Sequence, residues 1–514
     1  MITSMPHDAQ LEPGQAPKIT RTVRNIAWNY AGYAYQIAIN IGVTWYIVRR
    51  VTVVEYGLFL FVMSLSATLY LLDMGISSVL VQAYVEALAR GGKDRLNDLL
   101  SSAFVSLTVL GTVGLLVFLG LAMALPGPFK IPHGNLHEAF LIFVIAALII
   151  QVSFPAIAIE QVYQASHRFD RTNQIQLIAS TLQAALSIAV LVAGYGIVAL
   201  AAVQLAASIL RFLLLAAALP SSIPGIGVSL ARFQWALVKP LLRLSKWALL
   251  HNLSAYFFDM FIWLILGSFA SMRDAALFGL GQKLPKQVWN LVDKGANVAM
   301  PLMSQSAVVD DAHRLRHDYL KTQQLVFGAV LPFVVLGCLF ARPLIVVWAG
   351  GKYADAAVVM QWLSIAALSQ ALTYPSDMLL YACAKVKKAA SISLWSNIIS
   401  ILAALALVSR YGAAGLAAGM AAAQLIFNCG WFSLAACRVS GTSPAALVRA
   451  WFHGMLWPIA VLALETLIAR VVWLRLSPLE LVIVGVFSGV VYLAFWGLRT
   501  ALPLYRGYAE VALQ

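Results

Sequence analysis

The sequence predicts an all-α integral membrane protein of about fourteen transmembrane helices, built as two parallel six-helix lobes related by pseudo-twofold symmetry plus two C-terminal helices. Three observations carry this expectation. Of the 514 residues, 61% are hydrophobic and 11% charged, where a soluble domain carries about a quarter charged residues; the mean hydropathy is +0.84. Apolar stretches of about 20 residues, the length a helix needs to cross the hydrocarbon, recur from near residue 26 to near residue 500 without a long polar interval. A segment of the first half also returns in the second at a fixed offset. No room is left for a separate soluble catalytic domain.

In chain order, residues 1–25 contain Pro6, Pro13 and Pro17 followed by Lys18, Arg21 and Arg24, with no short apolar run before a cleavage site, and read as a cytoplasmic tail. Spans at 26–48, 56–80, 99–125, 139–159, 174–193 and 197–219 form an N-terminal lobe over 26–220. Residues 221–246 read as a cytoplasmic linker. Spans at 247–270, 275–299, 322–341, 356–382, 389–409 and 413–437 form a C-terminal lobe over 247–440, and 441–514 hold two more, at 452–469 and 479–498, with a cytoplasmic C-terminus. The eighth is the most polar and the thirteenth the shortest.

With the N-terminus inside, about 22 Lys and Arg fall in inner loops against about 9 in outer ones, which favours both termini inside. The formal charge of +14 is therefore topogenic, and no nucleic acid is expected as partner. Cys338, Cys383, Cys429 and Cys437 lie within or at the ends of apolar stretches, without C-x-x-C or histidines at metal spacing. They read as membrane-embedded thiols.

Residues 195–207, YGIVALAAVQLAA, and 411–423, YGAAGLAAGMAAA, share Y-G-x-x-x-L-A-A-x-x-x-A-A at an offset of 216. The same offset pairs Arg171 with Lys387, Ser180 with Ser396, Leu186 with Leu402 and Leu191 with Leu407; a slightly shifted one sets Asn29 against Asn252. Six crossings return the chain to the side it left, so the copies run parallel. Such repeats are typical of secondary transporters, with a substrate path between the halves.

Polar residues inside spans mark candidate sites. In span 1, Asn29, Tyr33, Gln36, Asn40 and Thr44 fall on one helical face, turned either to a hydrated path or to a neighbouring helix by hydrogen bonding. In span 8, Lys283, Lys286, Gln287, Asn290, Asp293, Lys294 and Asn297 fall close to one face. At about 1.5 Å per residue from Ala275, Lys283 lies about 12 Å deep and Lys286 about 16 Å. Asp259 of span 7, about 18 Å up from Trp247, is level with Lys283 and would form an ion pair with it. Lys286 is then the freer cation for an anionic substrate group. Arg211 and Lys294 are further candidates, Lys294 with snorkelling as its alternative. Asp73 and Asp377, toward inner helix ends, read as capping or loop-paired.

Neither Gly91-Gly92-Lys93-Asp94 nor Gly350-Gly351-Lys352-Tyr353 matches G-x-x-x-x-G-K-[ST], and H-E-x-x-H and G-x-S-x-G are absent. No ATPase, catalytic residue, metal or cofactor is expected. His313 and His317 belong to a charged amphipathic connector.

Glu55-Tyr56-Gly57-Leu58-Phe59 opening span 2, Leu72-Asp73-Met74-Gly75 later within it, and Trp348-Ala349-Gly350-Gly351-Lys352-Tyr353 before span 10 look like the E-Y-G, D-x-G and W-x-G-x-x-Y elements of one family. The chain thereby resembles the polysaccharide and O-antigen flippases (Wzx-like) of the multidrug/oligosaccharidyl-lipid/polysaccharide exporter superfamily, over nearly its whole length. Met74 and the extra glycine near 350 depart slightly from the commoner pattern.

That resemblance implies alternating-access transfer of an undecaprenyl-pyrophosphate-linked oligosaccharide from the cytoplasmic to the periplasmic leaflet of a bacterial inner membrane, for exopolysaccharide, capsule or O-antigen assembly. Membrane lipids and other polysaccharide assembly proteins are the implied partners. Lys286, Lys283, Arg211 and Lys294 would attract the diphosphate; Asn29, Gln36, Asn40 and Asn252 would meet sugar hydroxyls. The alternatives are a multidrug or peptidoglycan-precursor transporter of the same superfamily, and a polyprenyl-linked glycan polymerase or ligase. The last should show a large outer loop or an acidic metal site, and the sequence shows neither.

Overall fold

The computed structural model describes residues 19–68, 76–90, 92–125, 127–296, 312–383, 385–453, 459–460, 463 and 477–497. They are mostly helical, with no strand among the described residues. Seven of the described helices are long and apolar enough to cross a bilayer.

The first half holds α1 (Ile19–Arg50), α2 (Val53–Thr68), α3 (Ile76–Arg90), α4 (Gly92–Met123), α5 (Leu136–Ala165), α6 (Phe169–Val192) and α7 (Ile197–Ser222). Span 2 is thus carried by α2 and α3; Asp73 and its D-x-G neighbours lie outside the described residues. The second half holds α8 (Trp235–Phe269), α9 (Met272–Gly281), α10 (Lys283–Ala296), α11 (Ala312–Leu339), α12 (Ala341–Ala349), α13 (Ala356–Ala382) and α14 (Val386–Gln424). A π-helical stretch, Leu425–Phe432, leads into α15 (Ser433–Ser440); α16 (Pro444–Phe452) and α17 (Pro478–Trp496) follow. Most of span 13 lies outside the described residues.

Local chemistry sets several boundaries. Ser271 caps α9 in a reciprocal box with Asp274, Ser477 caps α17 with Glu480, and Ser443 caps α16 ahead of Pro444. The expected eighth span is interrupted at Gln282. Pro285 has no N–H to return to the carbonyl one turn earlier, although Gln282 N still bonds Phe278 O at 2.9 Å and Lys286 N bonds Gln282 O at 2.9 Å. Spans 11 and 12 are one helical hairpin, reversed at Gly412, whose φ of 57° favours glycine. Asp274 Oδ1 accepts the Ala413 N–H there at 3.0 Å, tying the hairpin to the start of α9.

The largest core cluster runs through both halves. Where α2 meets α9 the backbones approach so closely that a methyl on Gly57 would overlap the Met272 carbonyl and stand 3.1 Å from Ala276 N. Hydrogen bonds between the halves gather at this same end. Trp348 Nε1 donates to Ile41 O at 3.0 Å, Arg49 to Val347 O at 3.0 Å, Lys352 Nζ to Val51 O at 2.7 Å and Lys130 Nζ to Phe269 O at 3.0 Å.

Two of the motif elements meet in this seam. Glu55 and Thr52 cap α2 reciprocally, at 2.7 and 3.2 Å. Tyr56 is buried edge-on against Tyr353, with centroids 6.1 Å apart. The E-Y-G and W-x-G-x-x-Y residues therefore close one end of the molecule.

Candidate functional site

A cavity of about 600 Å³ opens inside the second half, walled by residues between Phe258 and Phe432. Its charged groups among the described residues are Asp259 from α8, Lys286 from α10 and Asp377 from α13. Asp259 and Lys286 both keep exposed surface, and Lys286 is the cation whose charge acts on Asp259.

Its neutral polar wall comes from four places. The α9/α10 break supplies Gln282, α13 supplies Gln370 and Thr373, and the first arm of α14 supplies Ser393, Ser396 and Asn397. The returning arm supplies Gln424 and Asn428. These groups are cross-linked: Gln370 Nε2 donates to Gln424 Oε1 at 3.2 Å, and Ser396 Oγ to Asn428 Oδ1 at 3.4 Å. Aromatic faces complete the wall. Trp289 meets Tyr374 at a centroid distance of 5.8 Å and an interplanar angle of 70°, and Trp263 meets Phe278 at 5.8 Å and 87°.

The periodicity of the backbone explains why these side chains converge. Gln370, Tyr374 and Asp377 follow each other at i, i+4 and i+7, so one face of α13 carries all three. Gln424 and Asn428 share a face across the start of the π-helical stretch. Ser393 and Asn397 do so on the facing arm.

Of the residues singled out from sequence, the cavity gathers Asp259 and Lys286. Lys283 points instead to the other half, its Nζ donating to buried Thr44 Oγ1 at 2.6 Å; no ion pair joins it to Asp259 among the described residues. Arg211 is held by both carboxylate oxygens of Glu160, at 2.8 and 2.7 Å. Gln36 Oε1 accepts from Ser180 Oγ at 3.3 Å, and Asn40 Nδ2 donates to Gln36 O at 2.9 Å, so part of the α1 stripe is engaged within the first half. The side chains of Asn29, Asn252 and Lys294 lie outside the described residues.

Sequence reasoning passed over Gln370, Tyr374, Asn397, Gln424 and Asn428. The i, i+4 spacing that exposed the α1 stripe was present here too. Asp377, read as a capping residue near a helix end, lines the cavity.

Against known proteins, the family model described as polysaccharide biosynthesis protein matches residues 47–358. No curated protein matches the sequence. Among solved structures, the lipid II flippase MurJ in an inward closed conformation aligns with a TM-score of 0.66 at 12% identity, over 91% of this chain and 98% of that one. A multidrug resistance MATE family transporter of the MOP superfamily, inward-facing, gives 0.63 at 15% identity over 79% and 96%. An outward-facing MATE family transporter gives 0.54 at 14% over 80% and 94%. At such identities the likeness is one of fold.

Proposed function

The chain belongs to the polysaccharide biosynthesis protein family, and on that premise we propose that it is a flippase carrying an undecaprenyl-pyrophosphate-linked oligosaccharide from the cytoplasmic to the periplasmic leaflet of a bacterial inner membrane. It is a multi-pass membrane protein with the all-α fold of MOP-superfamily transporters. The observation that carries the reading is the polar cavity with Lys286 on its wall, in a chain whose long helices are apolar enough to cross a membrane. A charge at that depth is costly unless a ligand, water or an acid meets it.

In this reading the polyprenyl tail stays in lipid while the headgroup crosses through protein. Lys286 meets the diphosphate and Asp259 balances it when the site is empty, as an ion pair or by exchanging a coupling cation. The two halves rock about the seam of α2 and α9, which opens as the opposite mouth closes. An inside-negative potential drives the anionic headgroup outward. Lys283 and Arg211 belong to the path only if they leave Thr44 and Glu160. Orientation with both termini in the cytoplasm follows from the charge bias of the loops.

The test is protein-dependent movement of radiolabelled lipid-linked oligosaccharide across proteoliposomes, for wild type, Lys286→Ala and Asp259→Asn at matched incorporation. Loss of about tenfold or more in Lys286→Ala is expected, from removal of a charge-assisted contact. Movement unchanged in both variants would keep a flippase but remove these two residues from its path. No movement under any imposed gradient would remove the flippase.

A further inference from the structure

We propose that the cavity of the second half is a neutral-sugar subsite, in which the Trp289–Tyr374 corner stacks a pyranose ring while Gln370, Asn397 and Asn428 bind its hydroxyls. The inference rests on the flippase reading, and says which part of the substrate this cavity selects.

The charge of the wall is the first argument. Among the described residues two carboxylates, Asp259 and Asp377, stand against one cation, Lys286. A diphosphate brought fully inside would face more negative than positive charge at close range, where the local dielectric is low and repulsion strong. A polyol meets no such barrier. Its hydroxyls donate to carboxylates, and they both donate to and accept from amides, which carry two donors and an acceptor each. The diphosphate then rests at the Lys286 margin and the sugars lie beyond it.

Shape and backbone agree. The volume of about 600 Å³ is within the range of about 300–1,000 Å³ typical of small-molecule sites. Trp289 and Tyr374 present ring faces set at 70°, a corner in which the weakly positive C–H face of a pyranose can lie on the negative face of a ring. The amides are held in place by the Gln370–Gln424 and Ser396–Asn428 bonds, so little side-chain entropy remains to be lost on binding.

The π-helical stretch Leu425–Phe432 begins next to Gln424 and contains Asn428 and Phe432, which face the cavity. Such widened turns are rare and concentrate at functional sites. At the offset of 216, Asn428 corresponds to Phe212, which stacks on Phe104 at 6.4 Å, and Ser393 to Leu177. Ser396, Asn397 and Gln424 instead correspond to the polar Ser180, Thr181 and Ser208, so it is at Asn428 and Ser393 that the second half adds polar groups the first half lacks.

Two readouts test this. In proteoliposomes, movement of the lipid-linked oligosaccharide pool extracted from the source cells is compared with that of bare undecaprenyl diphosphate. Asn428→Leu and Trp289→Leu should lower the ratio of glycosylated to bare rates about tenfold, as a site loses selectivity when a hydrogen-bonding or stacking partner is removed, while Trp289→Phe should largely retain it. An unchanged ratio, whether both rates fall together or neither does, overturns the subsite.

The second readout does not need flipping. The glycan released from the same pool by mild acid is titrated into solubilised protein, following tryptophan fluorescence. Saturable quenching that Asn428→Leu weakens about tenfold supports the subsite even if no lipid moves. Its absence in a wild-type protein with normal thermal unfolding overturns the subsite and leaves the flippase reading to its own test.

Discussion

Gly57 offers a graded test of the seam between the two halves. In Gly57→Ala the added methyl would overlap the Met272 carbonyl, and because the obstacle is backbone, the clash is relieved only by moving α2 away from α9. Overpacking of this kind costs about 1–3 kcal/mol. The cost exists only while the seam is closed, so it lowers the ratio of closed to open conformations by about 5- to 150-fold. The helical preference of Ala over Gly, about 1 kcal/mol, acts in both conformations and cancels. Gly279→Ala meets the flexible end of Leu60 at 2.5 Å and Trp263 at 3.3 Å, and should shift the ratio less. Gly42→Ala, with nothing within 4 Å, should shift it hardly at all. Spin labels at Gly134 and Tyr411, both exposed and in opposite halves, would read the separation in lipid nanodiscs by pulsed dipolar spectroscopy. A new longer-distance population is expected in the order Gly57, Gly279, Gly42. Distances unchanged in Gly57→Ala, or equally changed in Gly42→Ala, would refute the claim that this contact closes the seam.

Two further substitutions separate structural from functional polar groups. Arg211→Ala should lower thermal stability without raising the KM for lipid-linked substrate, because its guanidinium is already bonded to Glu160 at 2.7 and 2.8 Å. With side-chain exposures of 32% and 23%, the coupling in an Arg211/Glu160 double-mutant cycle should be about 1 kcal/mol after screening; a raised KM at unchanged stability would instead place Arg211 on the substrate path. Asp274→Ala removes both the α9 capping box and the bond to Ala413 N, and should cost about 1–3 kcal/mol. A denaturation midpoint equal to wild type would show that neither bond holds the hairpin.

The resemblance read from short motifs is borne out by the family match and the fold, and the described part of those motifs packs where the two halves meet. Glu55 caps a helix, Tyr56 and Tyr353 pack edge to face, and Trp348 and Lys352 bond the facing backbone of the first half. Nothing in their spacing says this, because the partners are about 300 residues away in sequence. Periodicity, by contrast, works at the scale of one helix. It was enough to single out Lys286 and Asp259, which line one cavity, and the same reasoning on spans 10 to 12 would have reached Gln370, Tyr374 and Asn428.

What the sequence determined alone is what hydrocarbon demands of any chain: long apolar helices, few charges, and polar residues restricted to helix faces that need a partner. Which partner each face found was decided only by tertiary packing. Lys283 and Lys286 are three residues apart on one helix, yet one bonds Thr44 across the seam and the other faces the cavity beside Asp259. Arg211 and Glu160 lie on different helices, and their pairing depends on how α5 and α7 come together. A helical pattern constrains the direction of a side chain, whereas what stands opposite is set by close-packed contacts far away in sequence.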